Sequence, residues 1–307
     1  MRRLVIATVA VAAAAAAVAA WSGAASSGSA GPAGVSPAAK PKLPKLPALP
    51  PDVKSRHRWV IGVKCDFPPF GYIDVRGNNS GYDVEIARAF TLMAFGRANR
   101  LTLVCVTTPS RIPALTSKRV DIIISTLTYT PARAQVIDFS TPYYSASGRL
   151  LVTNTTSINS LSDLSGKTVA TTRGSVYSTW VRNCFKNTKL LEVDSPSSAV
   201  LALKNGQADT FMFDDAFLLG VATADRDVKL TKDRFLTLPW GIGIRKGETD
   251  MKAWVDTALR RLQLKDDFYK ILQNNAPKRL LGEFADNVPR PKVTLHYDDR
   301  DLTTICP

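Results

Sequence analysis

The sequence predicts an α/β fold of two lobes, with a cleft between the lobes and a hinge beneath the cleft. Short apolar runs of β-branched residues alternate with helical segments, which is typical of parallel α/β units. An extended segment, Gly148–Thr153, then leaves the first unit, and a second α/β pattern begins at Leu161. The strand Trp240–Arg245 leads back, so the chain crosses twice between two units. Ligand sites in such sheets lie at the carboxyl ends of the strands.

The first lobe is predicted to comprise residues 55–147. Its first strand runs into the loop Lys64–Gly71, where two prolines fix the backbone. Strands and helices then alternate along the chain, because apolar residues recur at the spacing of a strand in some segments and at the spacing of a helix in others. The predicted elements are Trp59–Val63, Tyr82–Phe90, Leu101–Val106, Arg111–Lys118 and Val120–Ile124.

The second lobe is predicted to comprise residues 148–241, and residues 242–276 are predicted to return to the first. A Gly-plus-hydroxyl turn, Arg173–Val176, precedes a helix of the second lobe, and Asp214 and Asp215 end the strand Asp209–Phe213. Residues 277–307 are predicted to be a charged tail that contains proline. Further helices are predicted at Ala199–Leu203, Met251–Leu262 and Asp266–Asn275.

The first residues have the pattern of an export signal. Met1–Arg3 is a basic start, and the Ala/Val run Leu4–Ala20 is followed by small residues that offer cleavage points, so residues 1–25 are predicted to be a signal peptide. The alternative is a run that is retained as a membrane anchor. Residues 26–54 are predicted to be a Pro/Ala-rich linker that is stiff in its second half.

Charge and histidine content exclude several functions. The net charge is +14, of which the first 54 residues contribute +5. The basic residues are scattered, without interleaved aromatics or a zinc pattern, which argues against nucleic acid as a partner. His57 and His296 lie at opposite ends of the chain, so a His-based metal site or a Ser–His triad is not expected.

Four cysteines in an exported chain favour two disulfides, and three pairings are possible. Cys65 and Cys105 close two apolar strands that should lie side by side, which favours a bridge between them. Cys184 and Cys306 would then tie the tail to the body of the protein. The alternative is that Cys105 is a small buried hydrophobic residue.

The stretch Asp121–Arg133 is the strongest candidate for a binding site. A buried strand ends at the hydroxyls of Ser125, Thr126 and Thr128, and Thr130-Pro131 is typical of a helix start. Arg133 then lies in the first helical turn. Free N–H groups at a helix N-terminus, together with a guanidinium, make a site for a small carboxylate. The alternative is an ordinary strand–loop–helix corner with a surface arginine.

Residues from about Trp59 to Asn275 resemble the bacterial extracellular solute-binding proteins that serve ABC transporters for polar amino acids. The order and spacing of several short motifs carry the resemblance. These motifs are Gly62–Phe70, Gly81–Ala87, Ile112–Leu115, Val120–Ile124, Thr130–Arg133, Phe139–Tyr143, Leu164–Lys167 and Asn205–Asp209. The resemblance implies a type II periplasmic-binding-protein-like fold, with two α/β lobes joined by a two-strand hinge.

The resemblance also implies a role and a location. The protein is expected to be a monomer outside the cytoplasm, in the cell envelope or secreted, without a cofactor or a metal. Its partners are expected to be a free amino acid and the permease of an ABC transporter. Two alternatives are a sensory ligand-binding domain and an exported dehydratase. A dehydratase would need an acid such as Glu85, but Glu85 lies in a helix and is expected to have a structural role.

The family pattern transfers to this chain residue by residue. Arg133 is expected to hold the α-carboxylate, helped by the N–H groups of Thr126 and Thr128. The turn at Ser175 and Val176 is expected to contribute from the other lobe. Val176 departs from the family's second hydroxyl, so only its N–H can act there.

The remaining contacts concern the α-ammonium and the side chain of the amino acid. The α-ammonium is expected to meet Ser125, Thr128 and Asp214. Phe67 is expected to cover the aliphatic part of the ligand, the alternative being that Phe67, like Phe70, packs in the core.

The resemblance also implies two cations beside this site, and they bear on which amino acid binds. Lys64 ends the first strand, and Arg111 begins the helix before the central strand. Because an opposite charge gains most in a poorly hydrated cleft, an acidic amino acid is predicted, glutamate first and aspartate second. The alternative is that both cations are solvated at the rim and that the ligand is glutamine or asparagine.

Overall fold

A computed structural model describes residues 41–307 of the chain. The predicted signal peptide, residues 1–25, and residues 26–40 of the predicted linker lie outside this range. The described α-helices are α1 (Pro51–Arg56), α2 (Tyr82–Phe95), α3 (Arg111–Thr116), α4 (Pro131–Val136), α5 (Val176–Cys184), α6 (Pro196–Lys204), α7 (Asp215–Ala224), α8 (Thr249–Leu264), α9 (Asp267–Asn275) and α10 (Leu281–Ala285). None of these helices is both long enough and apolar enough to cross a lipid bilayer.

The strands alternate with the helices through most of the described range. In chain order they are β1 (Trp59–Val63), β2 (Asp66–Phe67), β3 (Gly71–Ile73), β4 (Asn79–Ser80), β5 (Leu101–Cys105), β6 (Ile122–Ile124), β7 (Ile137–Phe139), β8 (Tyr144–Thr153), β9 (Thr168–Thr172), β10 (Lys189–Val193), β11 (Thr210–Asp214), β12 (Val228–Leu230), β13 (Phe235–Trp240) and β14 (Gly243–Arg245). Short 3₁₀ turns lie at Leu161–Leu164, Lys278–Leu280 and Leu302–Thr304.

The first lobe is built on a five-stranded sheet in the order β5-β1-β6-β14-β7. The strands β5, β1 and β6 are parallel, with Ile61 opposite both Leu103 and Ile122. Ile61 and Ile122 are fully buried, as expected for central strands that helices cover on both faces. The small sheet β2-β3-β4 follows β1 and carries the Lys64–Gly71 loop.

The second lobe is built on a second sheet, with the path β10-β9-β11-β8-β12 and β13 paired to β8. The strands β9, β10 and β11 are parallel, whereas β8 runs antiparallel to β11 and β13. Its first strand begins at Tyr144, four residues before the predicted boundary at Gly148.

Two adjacent crossovers join the two sheets, one between Phe139 and Tyr144 and one between Trp240 and Gly243. The Ser140 N–H donates to the Ile242 carbonyl at 3.0 Å, and the Ile242 N–H donates to Ser140 Oγ at 2.9 Å. The predicted strand Trp240–Arg245 is therefore two strands, because the chain changes sheets at Gly241 and Ile242.

The predicted linker is wrong for its last residues. Pro51–Arg56 forms α1, and Leu46 and Leu49 pack against the hydrophobic core. The Arg261 side chain donates to the Pro44 carbonyl at 2.7 Å. Prolines suggested a free segment, but the leucines between them are apolar enough to hold it against the body.

Both favoured disulfides are confirmed. Cys65, which follows β1, is bonded to Cys105, the last residue of the neighbouring strand β5, and Cys184 is bonded to Cys306. The first bridge lies within the first lobe. The second ties the end of the described chain to α5 in the second lobe.

Candidate functional site

The Arg133 side chain reaches across the gap between the two lobes. Thr130 caps α4, since its hydroxyl accepts a hydrogen bond from the Arg133 N–H at 3.2 Å, and Pro131 follows the cap. The Arg133 guanidinium donates to the Thr128 carbonyl at 2.7 Å in its own lobe and to the Gly174 carbonyl at 2.9 Å in the other. Gly174 has a φ of +74°, a backbone conformation that favours glycine. In this conformation the Gly174 carbonyl accepts the hydrogen bond from Arg133.

The Arg111 side chain lies behind Arg133 and is almost fully buried. Its guanidinium donates to the carbonyls of Ser125 and Thr126 at 2.7 and 3.0 Å. Thr126 has φ of +50°, which is uncommon for a non-glycine residue and marks local backbone strain.

The Thr126 N–H does not point into the gap, which corrects one expectation. It donates to Asp83 Oδ2 and to the Tyr143 hydroxyl, each at 3.1 Å. The sequence placed this N–H on a ligand carboxylate, but Asp83, in the first turn of α2, reaches it first. The Thr126 N–H is therefore occupied within the first lobe.

The Lys64 side chain is fully buried and already paired. Its ammonium lies 2.8 Å from Asp66 Oδ1 and donates to the Thr108 hydroxyl at 3.1 Å. Lys64 is therefore not a solvated rim charge. Its positive charge is offset by a carboxylate two residues along the chain.

The second lobe presents hydroxyls and an acid to the gap. Ser175 caps α5 by accepting from the Ser178 N–H, and Val176 is the first residue of that helix. The Tyr177 hydroxyl donates to Asp214 Oδ1 at 2.8 Å, and Asp214 ends β11 at the start of α7. This face combines a helix N-terminus with one buried carboxylate.

Burial dominates the titration of the charged groups. Burial, together with repulsion from the neighbouring Arg111, lowers the pKa of Arg133 to about 9. Burial also lowers the pKa of Arg111, to about 10, and the pKa of Lys64. The pKa of Asp214 is raised to about 7 by burial, although Tyr177, Arg111 and Arg133 oppose this shift.

A small closed cavity of about 10 Å³ lies at the meeting point of the two faces. This volume holds about one water molecule. Six residues that the sequence singled out line the cavity, three of them from each lobe. The lining residues are Thr108, Arg111, Thr126, Thr128, Ser175, Val176, Tyr177, Phe213 and Asp214.

Three more predicted residues adjoin the cavity without lining it. Arg133 bridges the lobes, Ser125 contacts Arg111 through its carbonyl, and Lys64 bonds to Thr108. The Ser125 hydroxyl is buried without a hydrogen-bond partner.

Phe67 lies elsewhere, and its predicted position over a ligand is wrong for this structure. Its side chain is fully buried in an aromatic cluster, with ring centroids 5.7 Å from Phe213, 5.3 Å from Phe217 and 5.8 Å from Trp240. Phe67 thus packs a first-lobe loop into the second lobe, as the alternative for Phe67 supposed.

Sequence reasoning missed six residues of the site. Asp66 pairs with Lys64, and Asp83 and Tyr143 hold the strained turn. Thr108, Tyr177 and Phe213 line the cavity. Tyr177 directly follows the Ser175-Val176 turn, which is a signal that could have found it. Within residues 41–307 no cluster of three or more His, Cys, Asp or Glu side chains is placed to hold a metal.

Two α/β lobes that meet across a charged gap and are joined by two adjacent crossovers define a type II periplasmic-binding-protein fold. Residues 59–276 match the family model described as bacterial extracellular solute-binding proteins, family 3, and the chain belongs to this family.

Individual relatives agree with this assignment. A glutamine-binding protein from Geobacillus stearothermophilus is 36% identical over 196 residues, which is 63% of this chain and 75% of that protein. The ABC transporter glutamine-binding protein GlnH from Bacillus subtilis (strain 168) is 31% identical over 223 residues, 71% of this chain and 82% of that protein.

Solved structures of similar proteins share the fold. A cysteine-binding protein from Campylobacter jejuni superposes with a TM-score of 0.73 at 28% identity and covers 80% of this chain and 98% of its own. The P235GK mutant of ArgBP from T. maritima superposes with a TM-score of 0.69 at 30% identity, over 73% of this chain and 97% of its own.

Proposed function

We propose that this protein is the extracytoplasmic substrate-binding component of an amino-acid ABC transporter and binds a free amino acid between its lobes. The observation that carries the proposal is Arg133, whose guanidinium lies in the gap and reaches both lobes in a chain of this family. The names of its relatives, which bind glutamine or cysteine, support an amino acid as the class of ligand.

The two faces of the gap suit the two ends of an amino acid. Arg133 holds the α-carboxylate, which takes the place of the Gly174 carbonyl because a charged acceptor bonds a guanidinium more strongly than a neutral one. The N–H of Thr128 and the start of α5, at Ser175 and Val176, assist. Asp214, Thr128 and the free hydroxyl of Ser125 receive the α-ammonium.

Binding requires the lobes to separate. A cavity of about 10 Å³ cannot admit an amino acid, so the ligand enters when the two crossovers bend and the gap opens. Closure around the ligand then gives the form that docks on the permease.

We propose glutamate as the preferred ligand and aspartate as the next. Three cations, Lys64, Arg111 and Arg133, lie on the first-lobe face, and Arg111 lowers the pKa of Arg133, so this face carries a local excess of positive charge. A side-chain carboxylate would relieve the repulsion between the guanidiniums.

Glutamine is the second candidate, because Asp66 offsets the charge of Lys64 at 2.8 Å. Two relatives that are named for glutamine binding favour the same reading.

Calorimetric titration of ligand-stripped protein with glutamate, aspartate, glutamine, asparagine, arginine and cystine tests the proposal. We expect glutamate to bind tightest, and the Arg133→Ala variant to bind none of the six. Binding of glutamine without either acidic amino acid would move the assignment to the second candidate. Binding of none by the wild-type protein would contradict the function itself.

An enzymatic role on this scaffold is less well supported. Asp214 accepts a hydrogen bond from Tyr177 and Asp83 one from Thr126, so both buried acids serve as fixed acceptors. Glu85 pairs with Arg88 on α2, outside the set of residues that line the cavity. Turnover of prephenate or arogenate by the purified protein would reverse this conclusion.

A further inference from the structure

The last residues of the chain form a strap that contacts both lobes. We define the strap as residues 289–307. On the first lobe, the Tyr297 ring stacks on the Tyr129 ring at 4.4 Å, and the Tyr129 hydroxyl donates to Asp299 Oδ1 at 3.3 Å. Tyr129 directly follows Thr128, so this anchor adjoins the binding face.

On the second lobe, the strap is anchored on α5, the helix whose N-terminus carries Ser175. The Trp180 indole N–H donates to the Ile305 carbonyl at 2.8 Å, and the Asn183 amide donates to the Thr303 carbonyl at 3.0 Å. The Cys184–Cys306 disulfide makes this anchor covalent. The strap is therefore a third connection between the lobes, in addition to the two crossovers.

The strap also touches both crossovers. The Tyr297 hydroxyl donates to the Ser140 carbonyl at 2.7 Å in the first crossover. A Cβ placed on Gly241, in the second crossover, would lie 1.9 Å from the same hydroxyl. Glycine at position 241 thus lets Tyr297 pack directly on the part of the chain that must bend.

The span between the two anchors is short. Asp299 contacts the first lobe, and the turn Leu302–Thr304 packs on α5. Three residues of extended chain reach about 10 Å at most. A movement of the lobes that lengthens this span strains the hydrogen bond between Tyr129 and Asp299, because the Cys184–Cys306 bond holds the far end of the strap.

We propose that the strap restrains the hinge and favours the closed arrangement of the lobes. Its contacts with Tyr129, Ser140 and α5 are all made while the gap is closed, and contacts made in one state alone stabilise that state. We expect the closed form around a ligand to keep these contacts and the open form to lose them, so the strap raises the affinity for the ligand.

Lobe separation without ligand tests the strap directly. Spin labels on Arg119→Cys and Asn205→Cys, both exposed and one in each lobe, give the distance distribution between the lobes. We expect the double variant Cys184→Ser/Cys306→Ser to shift this distribution away from that of the wild-type protein, toward a more open form, with a larger radius of gyration in X-ray scattering.

The other disulfide provides the matched control. Cys65→Ser/Cys105→Ser removes a bridge that lies within one lobe, so it should lower thermal stability without changing lobe separation. If the strap variant lost only thermal stability and kept the wild-type distribution, the proposal would be overturned.

A milder variant keeps the test independent of the disulfide. Tyr297→Phe removes the bond to Ser140 and keeps the ring stack, so we expect a smaller shift in the same direction. An unchanged distribution in Tyr297→Phe together with an unchanged one in the double variant would leave no role for the strap.

The effect on affinity rests on the proposed function, whereas the effect on lobe separation does not. With an amino acid that binds, the double variant should bind roughly fivefold more weakly or worse. Arg300→Gln, which breaks only a pair with Asp298 inside the strap, should bind as the wild type does. Wild-type affinity in the double variant would contradict the proposal.

Discussion

The two faces of the gap differ in charge and in how the charge is held. The first-lobe face carries Lys64, Arg111 and Arg133, and main-chain carbonyls of that lobe fix both guanidiniums. The second-lobe face carries Asp214, fixed by Tyr177, and the N-terminus of α5. The cations are thus concentrated on one lobe, and the acid that lines the cavity lies on the other.

This difference explains why a dipolar ligand needs both lobes. A free amino acid carries a carboxylate and an ammonium about two bonds apart, and the charged partners proposed for them, Arg133 and Asp214, lie on different lobes. A ligand that bonds to both faces stabilises the closed form over the open one, which couples binding to closure. The predictions below test the roles of the two faces, in order of decreasing effect.

Removing the central cation should have the largest effect. Arg133→Ala takes away the contact to the α-carboxylate, and loss of one partner of a buried charge pair weakens binding by at least about 30-fold. Calorimetry measures the affinity. Circular dichroism should show an unchanged fold, since Arg133 packs no core, and wild-type affinity would remove Arg133 from the site.

Neutralising the acid of the second face should weaken binding by about 10- to 100-fold. Asp214→Asn loses the charge that meets the ammonium but can still accept from Tyr177. Because the pKa of Asp214 is raised to about 7 by burial, wild-type affinity should fall as the pH drops below about 7. Titrations at several pH values should show that the affinity of Asp214→Asn depends less on pH than the affinity of the wild-type protein. An equal pH dependence in the two proteins would exclude Asp214 as the ammonium partner.

The Lys64–Asp66 pair should set the preference between a carboxylate and an amide side chain. Lys64→Met should lower the affinity for glutamate about tenfold relative to glutamine. Asp66→Asn leaves Lys64 uncompensated and should shift the ratio toward glutamate. Competition binding with both amino acids measures the ratio of the affinities for glutamate and glutamine. If both variants kept the wild-type ratio, the Lys64–Asp66 pair would lie outside the site.

The smallest effect concerns stability rather than binding. Burial raises the pKa of Asp83 from 3.8 to about 7, so between about pH 4 and pH 7 the folded state binds more protons than the unfolded state. Stability should therefore fall as the pH rises through this window. Thermal melts from pH 5 to pH 8 should show a smaller fall for Asp83→Asn, whose amide oxygen can still accept from Thr126.

Local patterns in the sequence predicted much of this structure. The bounds of β1 match the prediction, because a short apolar run between polar residues predicts a buried strand with clear ends. The disulfide between Cys65 and Cys105 followed from two strands that had to be neighbours. The capped start of α4 placed Arg133 at the gap, because a helix cap is a short-range signal.

The features that the sequence did not predict depend on residues far apart in the chain. Phe67 packs against Phe213 and Phe217 of the other lobe, and no local sequence pattern predicts this contact. The Thr126 N–H is engaged by Asp83, which lies 43 residues earlier. The half-buried Asp66, two residues from Lys64, offsets part of the Lys64 charge, and the sequence alone did not predict this pairing.

The bond between Cys184 and Cys306 also determines what a single proteolytic cut can release from the protein. It closes a covalent ring that holds the last part of the second lobe, the second crossover and the helices α8 and α9. A protease that cuts one exposed loop inside this ring releases nothing, since both fragments stay in one molecule. Such a nicked protein keeps its mass until a reductant separates the pieces.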